Sequence, residues 1–541
     1  TTASGSQATV WSDQARDNDA TISSFDAPTY FNNSTENINH NPVLSFNEAD
    51  KTQLKGKGGF HSQDYWIVMK QNGTIDGTTA SAFEGVLAGR ASNRQFSEDG
   101  TGFWTGKISI RFAGNDNMLS HMIGSTPASA NSTTPNTYGR AYASSTDSYT
   151  DEVIIINIKR NAAGNTSEIY KNGIRVDNIS AFAFDQSTNT VGSMLPYDDI
   201  DNSLYALGVS FAGLNRTDIS SWFNGKLTEV ISYNAPNSLL NQKKIQSYLA
   251  LKNGVTLHSI NSTTATRRGD ENYIDSDGAI IWETAVHNGF TYDIAGIGRD
   301  NAATLNQKQS TSSNPGAIVT MGLSDIYNTN SENIATNTNT ISDKNFLIWG
   351  NNNGSFAAAS AVQVDLSSGI TGLSTDVDFT SIQRTWKVVE KGSVGLVKIS
   401  VPEASLSATI TPPGNFLMFI SDTPSFSPTS EYRIMYPNGV NLETTYDFDG
   451  EKYITFGYAP EYIYERSITF DGTRDYMDAD DVADLTGPFT ISTWVKPGNN
   501  ANNTDIISKS NIPYTEGYAL RLTNAMVPRI GWKNAAGTTE G

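Results

Sequence analysis

The chain has 541 residues, of which 37% are hydrophobic and 10% aromatic, and its formal net charge at pH 7 is −19. This length predicts several domains, and the hydrophobic content predicts packed cores rather than disorder. The acidic balance argues against a nucleic-acid partner, because a phosphate backbone would be repelled. Cysteine is absent, which excludes disulfides, thiolate zinc sites and cysteine nucleophiles.

Short apolar segments recur along the chain and are separated by Gly, Asn, Asp and Pro. The clearest are residues 64–70, 152–160, 203–211, 226–233, 345–350, 385–390 and 416–421. This pattern predicts an all-β chain of antiparallel β-sandwiches with jelly-roll topology, arranged as several domains in series. No run of about 20 apolar residues occurs, so no membrane-spanning helix is predicted.

One segment near the middle predicts a helix instead of a strand. Residues 241–257 read NQKKIQSYLALKNGVTL, and Ile245, Tyr248 and Leu249 have the spacing i, i+3, i+4. The candidate N-caps are Asn237 and Ser238, and the candidate stop is Gly254. We therefore expect one short amphipathic linking helix, stabilised by docking its apolar face.

The beginning and the end of the chain contain related segments. Residues 41–54, followed by a Trp-bearing strand at 62–70, resemble residues 466–478, followed by a Trp-bearing strand at 487–497. A unit repeated at this distance predicts two copies of one domain type with a different module between them. Because only 76 residues follow the start of the second copy, we expect it to be truncated and the chain to be an excerpt of a longer protein with further domains.

Residues 10–47 resemble the first strands of a laminin G-like or concanavalin A-like domain. The matching positions are Trp11, Asp13, Gln14, Asn18, Asp19, Ala20, Pro28, Asn39, Pro42 and Phe46, while His40 replaces the usual glycine. Residues 169–177 resemble a hairpin of that family, and residues 223–257 resemble its closing strand and helix. The resemblance implies a laminin G-like jelly roll at 1–236, followed by a closing helix and linker at 237–257.

Residues 273–322 resemble the β module that follows such helices in large adhesin-like surface proteins of gliding bacteria exported by type IX secretion. The most specific parts are DIAGIGRD at 293–300 and LNQKQS at 305–310. The resemblance implies a second β-sandwich at 258–462 and the start of a further laminin G-like domain at 463–541. It also implies a secreted adhesin on the exterior of the bacterial outer membrane, active in gliding motility, whose modules bind polysaccharides or surfaces multivalently.

The sequence contains no motif for catalysis. Glycoside hydrolysis needs two facing carboxylates, but the acidic pairs within residues 150–153 and 196–202 are typical of loop ends. The Gly-x-Ser-x-Gly and His-Glu-x-x-His motifs are missing as well. We therefore expect no enzymatic activity. Two alternatives to an adhesin stay open: the accessory carbohydrate-binding region of a secreted polysaccharide-degrading enzyme, and a structural stalk or filament subunit.

Groups of aspartates in turns are candidate ligands for Ca²⁺, which binds through oxygen atoms alone. The candidates are Asp13, Asp17 and Asp19; Asp198, Asp199 and Asp201; Asp275 and Asp277; and Asp471, Asp475 and Asp478. The alternative for each group is ordinary turn chemistry, because aspartate side chains accept hydrogen bonds from nearby backbone N–H groups.

Tryptophans are the remaining candidates for ligand contact, because sugar rings stack on aromatic faces. Trp104 and Trp222 lie near turns and are the candidate platforms, with packing as the alternative. The tryptophans within strand-like segments are expected in the cores: Trp66, Trp282, Trp349, Trp386, Trp494 and Trp532.

Overall fold

The computed structural model describes this chain in separate residue ranges. They are 2–15, 18–22, 25–57, 64–73, 83–91, 99–106, 118–125, 138–144, 151–160, 167–176, 203–209, 222–260, 262, 267–365, 376–407, 414–428, 430–460, 470, 472–473, 475–479, 490–493, 495–498, 503–510, 517–533 and 539–540. The chain divides into two compact units, Thr1–Glu465 and Arg466–Gly541.

The first unit begins with a sandwich of two eight-stranded antiparallel sheets, which we call the first sandwich. Its strands are β1 (Ser6–Gln7), β2 (Val10–Trp11), β3 (Ala20–Ile22), β4 (Thr29–Phe31), β5 (Val43–Phe46), β6 (Leu54–Lys57), β7 (Asp64–Gln71), β8 (Phe83–Ala91), β9 (Asp99–Gly106), β10 (Met118–Ser125), β11 (Tyr138–Ser144), β12 (Val153–Arg160), β13 (Ser167–Lys171), β14 (Ile174–Arg175), β15 (Ser203–Leu207) and β16 (Gly225–Tyr233). Sheet I has the order β1-β4-β5-β16-β7-β12-β13-β14, and sheet II has the order β11-β10-β9-β8-β15-β6-β3-β2.

Helix α1 (Leu239–Asn253) leads from the first sandwich into a second one. The strands that follow are β17 (Tyr273–Ile274), β18 (Ile280–Trp282), β19 (Tyr292–Asp300), β20 (Leu305–Gln307), β21 (Gln309–Thr311), β22 (Thr320–Leu323), β23 (Phe346–Asn351), β24 (Ala358–Asp365), β25 (Asp376–Ile382), β26 (Trp386–Lys391), β27 (Leu396–Pro402), β28 (Phe416–Ser421), β29 (Glu431–Ile434), β30 (Tyr436–Asn438), β31 (Asn441–Asp447) and β32 (Glu451–Tyr458). Two short helices, α2 (Asn330–Thr336) and α3 (Glu403–Ser407), interrupt these strands.

The second sandwich packs two antiparallel sheets on one core. Sheet III has nine strands, with the order β20-β19-β23-β26-β32-β25-β24; in addition β28 pairs with β32, and β29 pairs with β28. Sheet IV has the order β21-β22-β27-β31-β30. The core between them is formed by residues such as Ile297, Trp349, Val388, Ile399 and Phe456. Strands β17 and β18 form a separate hairpin.

The second unit, Arg466–Gly541, contains one four-stranded antiparallel sheet in its described part. Its strands are β33 (Thr504–Ser510), β34 (Gly517–Leu522), β35 (Pro528–Lys533) and β36 (Thr539–Glu540), in that order. The strand predicted at 487–497 is wrong for residues 490–493 and 495–497, which form no strand. A strand is stable only with hydrogen-bonded neighbours, and the described residues give this segment none.

The predicted fold class is confirmed: the chain is built from antiparallel sheets in series, and each of the seven predicted strands of the first unit is present. Trp66, Trp282, Trp349 and Trp386 lie in cores as expected. Trp532, by contrast, is 37% exposed on β35, although a core position was predicted. Strand periodicity alone does not tell which face of a sheet is covered. Helices α2 and α3 were not predicted either, because both are shorter than two turns and carry little periodic signal.

Both faces of sheet I are buried, which explains why its central strands read as continuous apolar runs. On β7, Tyr65, Ile67 and Met69 face sheet II in the core of the first sandwich. The alternate residues Trp66 and Val68 face α1 and the second sandwich. Strand β12 shows the same alternation. Because strand side chains alternate between faces, sheet I separates the core of the first sandwich from a second apolar layer, which we call the junction core.

Helix α1 begins and ends where the sequence predicts. The hydroxyl Oγ of Ser238 accepts a hydrogen bond from the backbone N–H of Asn241 at 3.2 Å, and Gly254 ends the helix with a φ of 68°. The prediction of a single apolar face is wrong, because the helix lies between the two sandwiches and also buries polar side chains. Gln242, for example, donates to Asn157 Oδ1 of the first sandwich at 3.2 Å. Among the described residues, no helix has the length and apolar character needed to cross a bilayer.

Candidate binding site at the sandwich junction

A cleft opens where the first sandwich, helix α1 and the second sandwich meet, and its volume is about 300 Å³. Three walls surround it. Strand β16 contributes Glu229, Ile231 and Tyr233, and α1 contributes Lys244, Ile245, Tyr248 and Leu251. The third wall belongs to the second sandwich and its hairpin: Ile274, Asp275, Ser276, Ile281, Asp300, Ala303, Thr304, Leu305 and Phe346. The cleft thus has an apolar interior with a limited number of polar groups, which is typical of ligand sites.

A β-bulge decides which residues of strand β16 face the cleft. Its register against β7 shifts between Leu227 and Glu229, so Thr228 is an extra residue in the strand. Leu227 lies in the core of the first sandwich, whereas Ile231 and Tyr233 pack on the junction core. Since strand side chains alternate with a period of two, one inserted residue moves the following side chains to the opposite face. The bulge therefore decides that Glu229, Ile231 and Tyr233 form this wall of the cleft.

Helix α1 supplies its wall through one helical stripe. Lys244, Tyr248 and Leu251 are spaced by four and three residues, which places them on the same face of a helix. Tyr248 is half-buried, with its ring beside the ammonium group of Lys252 at 5.4 Å. The residues used for the helix prediction, Ile245 and Tyr248, therefore line the cleft instead of lying fully in a core.

A charged triad joins α1 to β16 at the cleft. The hydroxyl of Tyr248 donates to Glu229 Oε1 at 2.8 Å, and Lys252 Nζ donates to Glu229 Oε2 at 2.9 Å and to the Tyr248 hydroxyl at 3.0 Å. Burial, followed by the neighbouring Glu229 carboxylate, raises the pKa of Tyr248 to about 12. The pKa of Lys252 is also raised, because Glu229 and Tyr248 outweigh the effect of its burial. Tyr248 is therefore a neutral hydroxyl at neutral pH, held in one orientation.

A second polar group lies on the wall formed by the second sandwich. Asp300 accepts hydrogen bonds from the backbone N–H of Ser276 at 2.8 Å and from its hydroxyl at 2.7 Å. Lys344 Nζ donates to Asp300 Oδ1 at 2.9 Å and to the Ser276 hydroxyl, and it lies 3.2 Å from Asp277 Oδ2. These hydrogen bonds lower the pKa of Asp300 against the opposing effect of its burial. The carboxylate is therefore ionised and fixed next to the cleft.

Two of the predicted calcium ligands, Asp275 and Asp277, belong to this region. Asp275 Oδ1 accepts hydrogen bonds from the backbone N–H groups of Asp277 at 3.0 Å and Ala279 at 2.8 Å, which is ordinary turn chemistry. The ammonium group of Lys344 supplies the positive charge at Asp277. Within the described ranges, no three His, Asp or Glu side chains are grouped so that they could hold a metal ion.

The other predicted site residues lie apart from the cleft. Asp13 and Asp19 are neighbours at the start of the first sandwich, where Asp19 Oδ1 accepts from the backbone N–H of Asp13 at 2.9 Å. Asp475 is exposed in the second unit, as is Asp478. The candidates Asp17, Asp198, Asp199, Asp201 and Asp471 lie outside the described residues. Calcium binding stays a prediction for all of these groups.

Of the two candidate tryptophan platforms, the structure describes the side-chain environment of one, Trp222. Trp222 is only 4% exposed, and its ring lies 4.9 Å from that of Phe25, so its faces pack inside the first sandwich. Trp104 lies on β9, opposite Ser120 of β10, and its side chain is outside the described part of the structure. The tyrosines of the cleft, Tyr233 and Tyr248, were not among the predicted ligand residues. The sequence did not indicate that Tyr233 faces the helix, because its direction depends on the bulge at Thr228.

Part of the chain matches a known protein family. Residues 241–451 match a family described as Domain of unknown function (DUF8202). The match begins inside α1 and covers less than half of the chain. No curated protein matches this chain.

Two solved structures are similar to parts of the chain at low identity. One is the Ruminococcus gnavus IT-sialidase CBM40 bound to alpha2,3 sialyllactose, with 13% identity, a TM-score of 0.20, and coverage of 33% of this chain and 79% of that chain. The other is the native heptameric SAP-like pentraxin from Limulus polyphemus, with 9% identity, a TM-score of 0.27, and coverage of 42% of this chain and 90% of that chain. TM-scores of this size are too low to transfer a ligand or an activity to this chain.

Proposed function

We propose that this chain is part of a non-catalytic adhesin secreted to the bacterial cell surface, and that the junction cleft holds a sugar unit of a polysaccharide. The observation that carries the proposal is the composition of the cleft. It combines the rings of Tyr233 and Tyr248 with a rim of hydroxyl and carboxylate groups in a volume of about 300 Å³. The resemblance of the sequence to surface adhesins supports the location and the class of protein.

The chemistry of a sugar ring suits such a cleft. A pyranose has apolar C–H faces and a perimeter of hydroxyl groups, so it is held by aromatic or aliphatic surfaces together with fixed hydrogen-bonding groups. Ile231 and Ile245 add aliphatic surface beside the two tyrosines, and Ser276 and Thr304 add hydroxyl groups. Binding at one such site is weak, and several modules in series would multiply it through effective concentration. This mechanism needs no bond cleavage.

The test is a screen of the purified chain against immobilised polysaccharides, followed by calorimetric titration of the best oligosaccharide. We expect Tyr233→Ala and Tyr248→Ala to weaken binding at least tenfold. Tyr436→Ala is the matched control, because Tyr436 is a 64% exposed tyrosine on β30 of the second sandwich. Thermal unfolding of each variant shows that the fold is kept. Binding that is unchanged in both cleft variants would reject the cleft as the site.

A structural stalk is the second candidate, and the tight joint between the sandwiches favours it. The junction core contains apolar residues of the first sandwich, of α1 and of the second sandwich in one cluster, which makes the first unit a stiff spacer. A stalk subunit would bind no polysaccharide in the screen, whereas electron microscopy would show ordered head-to-tail contacts. Hydrolysis of a polysaccharide by the chain itself would contradict both candidates.

We also propose that aspartate turns bind Ca²⁺, in particular the turn that contains Asp13, Asp17 and Asp19. Oxygen-rich turns of this kind commonly bind Ca²⁺ at the loops of extracellular domains. Isothermal titration with CaCl₂ tests this idea, with the variant carrying Asp13→Asn and Asp19→Asn as the comparison. Equal heats of binding for the variant and the original chain would remove this turn from the candidates.

A further inference from the structure

We propose that the second sandwich carries a receptor for an Asn-x-Asn turn of the preceding sandwich, and that this receptor is incomplete without the turn. The turn consists of Asn39, His40 and Asn41 between β4 and β5. The receptor is formed by the C-terminal end of α1 and by residues 307–311 and 330 of the second sandwich. The kind of partner that fits is therefore a β-sandwich presenting two side-chain amides on a hairpin turn. This inference does not depend on a sugar ligand.

The turn is held in an unusual conformation. Ile38 and Asn41 exchange two backbone hydrogen bonds, of 3.1 and 2.9 Å, around the two central residues. Asn39 has a φ of 45° and His40 a φ of 63°, as a type I′ hairpin turn requires. Glycine is the usual residue at the second position of such a turn, and His40 stands there instead. The conformation aims the side chains of Asn39 and Asn41 at the second sandwich.

Asn39 pairs with groups that would otherwise lack partners. Its Nδ2 donates to the backbone carbonyls of Leu251 at 3.2 Å and Lys252 at 3.1 Å, in the last turn of α1. Carbonyls at the end of a helix have no partner within the helix. The Oδ1 of Asn39 accepts from the backbone N–H of Thr311 at 2.7 Å and from the hydroxyl of Ser310 at 3.2 Å. Asn39 is only 6% exposed, so water has little access to these groups.

Asn41 makes a parallel set of contacts. Its Nδ2 donates to the carbonyl of Lys252 at 2.6 Å and to Gln307 Oε1 at 3.1 Å. Gln307 Nε2 returns a hydrogen bond to the carbonyl of Asn39 at 3.2 Å. The backbone N–H of Asn330 donates to the carbonyl of His40 at 2.8 Å. Both the backbone and the side chains of the turn therefore form hydrogen bonds with the receptor.

The polar contacts fix the register of an interface whose apolar part is unspecific. Trp66 and Val68 of sheet I pack with Leu249 of α1 in the junction core, and apolar contact of this kind provides affinity without direction. Removing the turn would take away the hydrogen-bond partners of the Leu251 carbonyl and of the Thr311 N–H. Buried polar groups without partners are strongly unfavourable, so the receptor discriminates against a sandwich that lacks the two amides.

The receptor and the turn lie in different parts of the chain, and only the receptor lies in the region that matches the family of unknown function. Lys252, Gln307, Thr311 and Asn330 lie within residues 241–451, which match the family of unknown function. The turn at Asn39 lies about 200 residues before that region. The region therefore holds the receptor, and the preceding sandwich holds the group that completes it.

The test uses the full chain with a recognition sequence for a specific protease inserted into the exposed segment 234–236, between β16 and α1. After cleavage of the folded protein, we expect the two fragments to co-elute in size-exclusion chromatography. Asn39→Asp combined with Asn41→Asp keeps the shape of both side chains but removes their N–H donors. We expect this double variant to weaken the association of the fragments at least 100-fold. Separation of the fragments of the original chain would overturn the proposal, as would unchanged association in the double variant.

A control and a second measurement keep the outcome clear. Asn33→Ala combined with Asn47→Ala removes two asparagines of the same sandwich whose side-chain hydrogen bonds stay within it, and association should not change. If the Asp variants unfold on cleavage, hydrogen exchange of the uncleaved chain replaces chromatography. Faster exchange at Thr311 and Asn330, with the strands of sheet I still protected, supports the proposal. Unchanged exchange at both amides contradicts it.

Discussion

The side-chain amide of Asn41 donates a hydrogen bond of 2.6 Å to the backbone carbonyl of Lys252, at the end of α1 and 211 residues later in the chain. This contact links the first sandwich to the element that begins the second. Together with the junction core, it makes the two sandwiches of the first unit one mechanical body. The first unit can therefore transmit force from one sandwich to the other, as both proposed functions require.

Gly173→Ala should destabilise the first unit by about 3 kcal/mol or more. Gly173 has a φ of 97°, and a Cβ atom there would lie 2.1 Å from the carbonyl oxygen of His258, in the segment that follows α1. The substitution thus combines backbone strain with a clash between the sandwiches. Chemical denaturation measures the loss.

The matched control for this substitution is Gly439→Ala. Gly439 has a φ of 61°, but a Cβ atom there would meet nothing within 4 Å. The cost should therefore be about 1 kcal/mol, from backbone strain alone. Equal losses for the two variants would show that the contact between Gly173 and His258 does not matter for stability.

Glu84→Gln should stabilise the chain above pH 7 by about 2–3 kcal/mol. Burial, opposed by the backbone N–H of Asn224, raises the pKa of Glu84 from 4.5 to about 7. Between these pH values the folded state binds more protons than the unfolded state, so the stability of the original chain falls as pH rises. Below pH 4.5 both states are protonated and the two chains should be equally stable. The measurement is the free energy of unfolding from pH 4 to 8, and parallel curves for the two chains would reject this role of Glu84.

His287 should make the chain sensitive to acid. Burial, together with the nearby Lys387 ammonium group, lowers the pKa of His287 from 6.5 to about 4, against the weaker effect of Glu451. The imidazole lies 4.5 Å from the ring of Trp282 and is only 5% exposed. Below pH 6.5 the unfolded state binds a proton that the folded state does not, so stability should fall by about 2–3 kcal/mol as the pH decreases to 4.

The control for His287 is the variant His287→Gln, which cannot gain a charge. It will lose packing against Trp282 at every pH, so the decisive quantity is the slope of stability between pH 6.5 and 4. We expect a shallower slope in the variant than in the original chain. The same slope in both would assign the acid sensitivity to other groups, such as His40, whose pKa burial also lowers to about 4.

Deleting Thr228 should leave sugar binding in the cleft intact and change the stability of the first sandwich by about 1 kcal/mol or less. Leu227 and Glu229 pair with the adjacent residues Met69 and Val68 of β7. Without the extra residue the strand therefore alternates regularly, and Glu229 and Ile231 still face the cleft. Thr228→Val keeps the bulge and replaces a hydroxyl that is buried without a hydrogen-bond partner. We expect Thr228→Val to be neutral or stabilising by about 0.5–1 kcal/mol. Loss of sugar binding in a folded deletion variant would contradict this account of the bulge.

The sequence predicted those features that neighbouring residues determine. The strand at 416–421 coincides with β28, and the helix caps at Ser238 and Gly254 are confirmed. Caps and strand periodicity arise from backbone dihedral preferences and from the alternation of side chains, both of which act over a few residues. The candidate site was not predictable in this way. Tyr233 and Tyr248 meet across the cleft only because of a bulge, and a bulge depends on the partner strand.

Local residue patterns thus determined the class of fold, the antiparallel strands and the position of α1. The tertiary structure decided which face of each strand meets which core, and it decided the role of the two asparagines before β5. Asn39 and Asn41 look like ordinary turn residues in the sequence, because their partners Lys252, Gln307 and Thr311 are more than 200 residues away. Hydrogen bonds to such distant groups leave no periodic pattern in the sequence, so only the folded structure shows them.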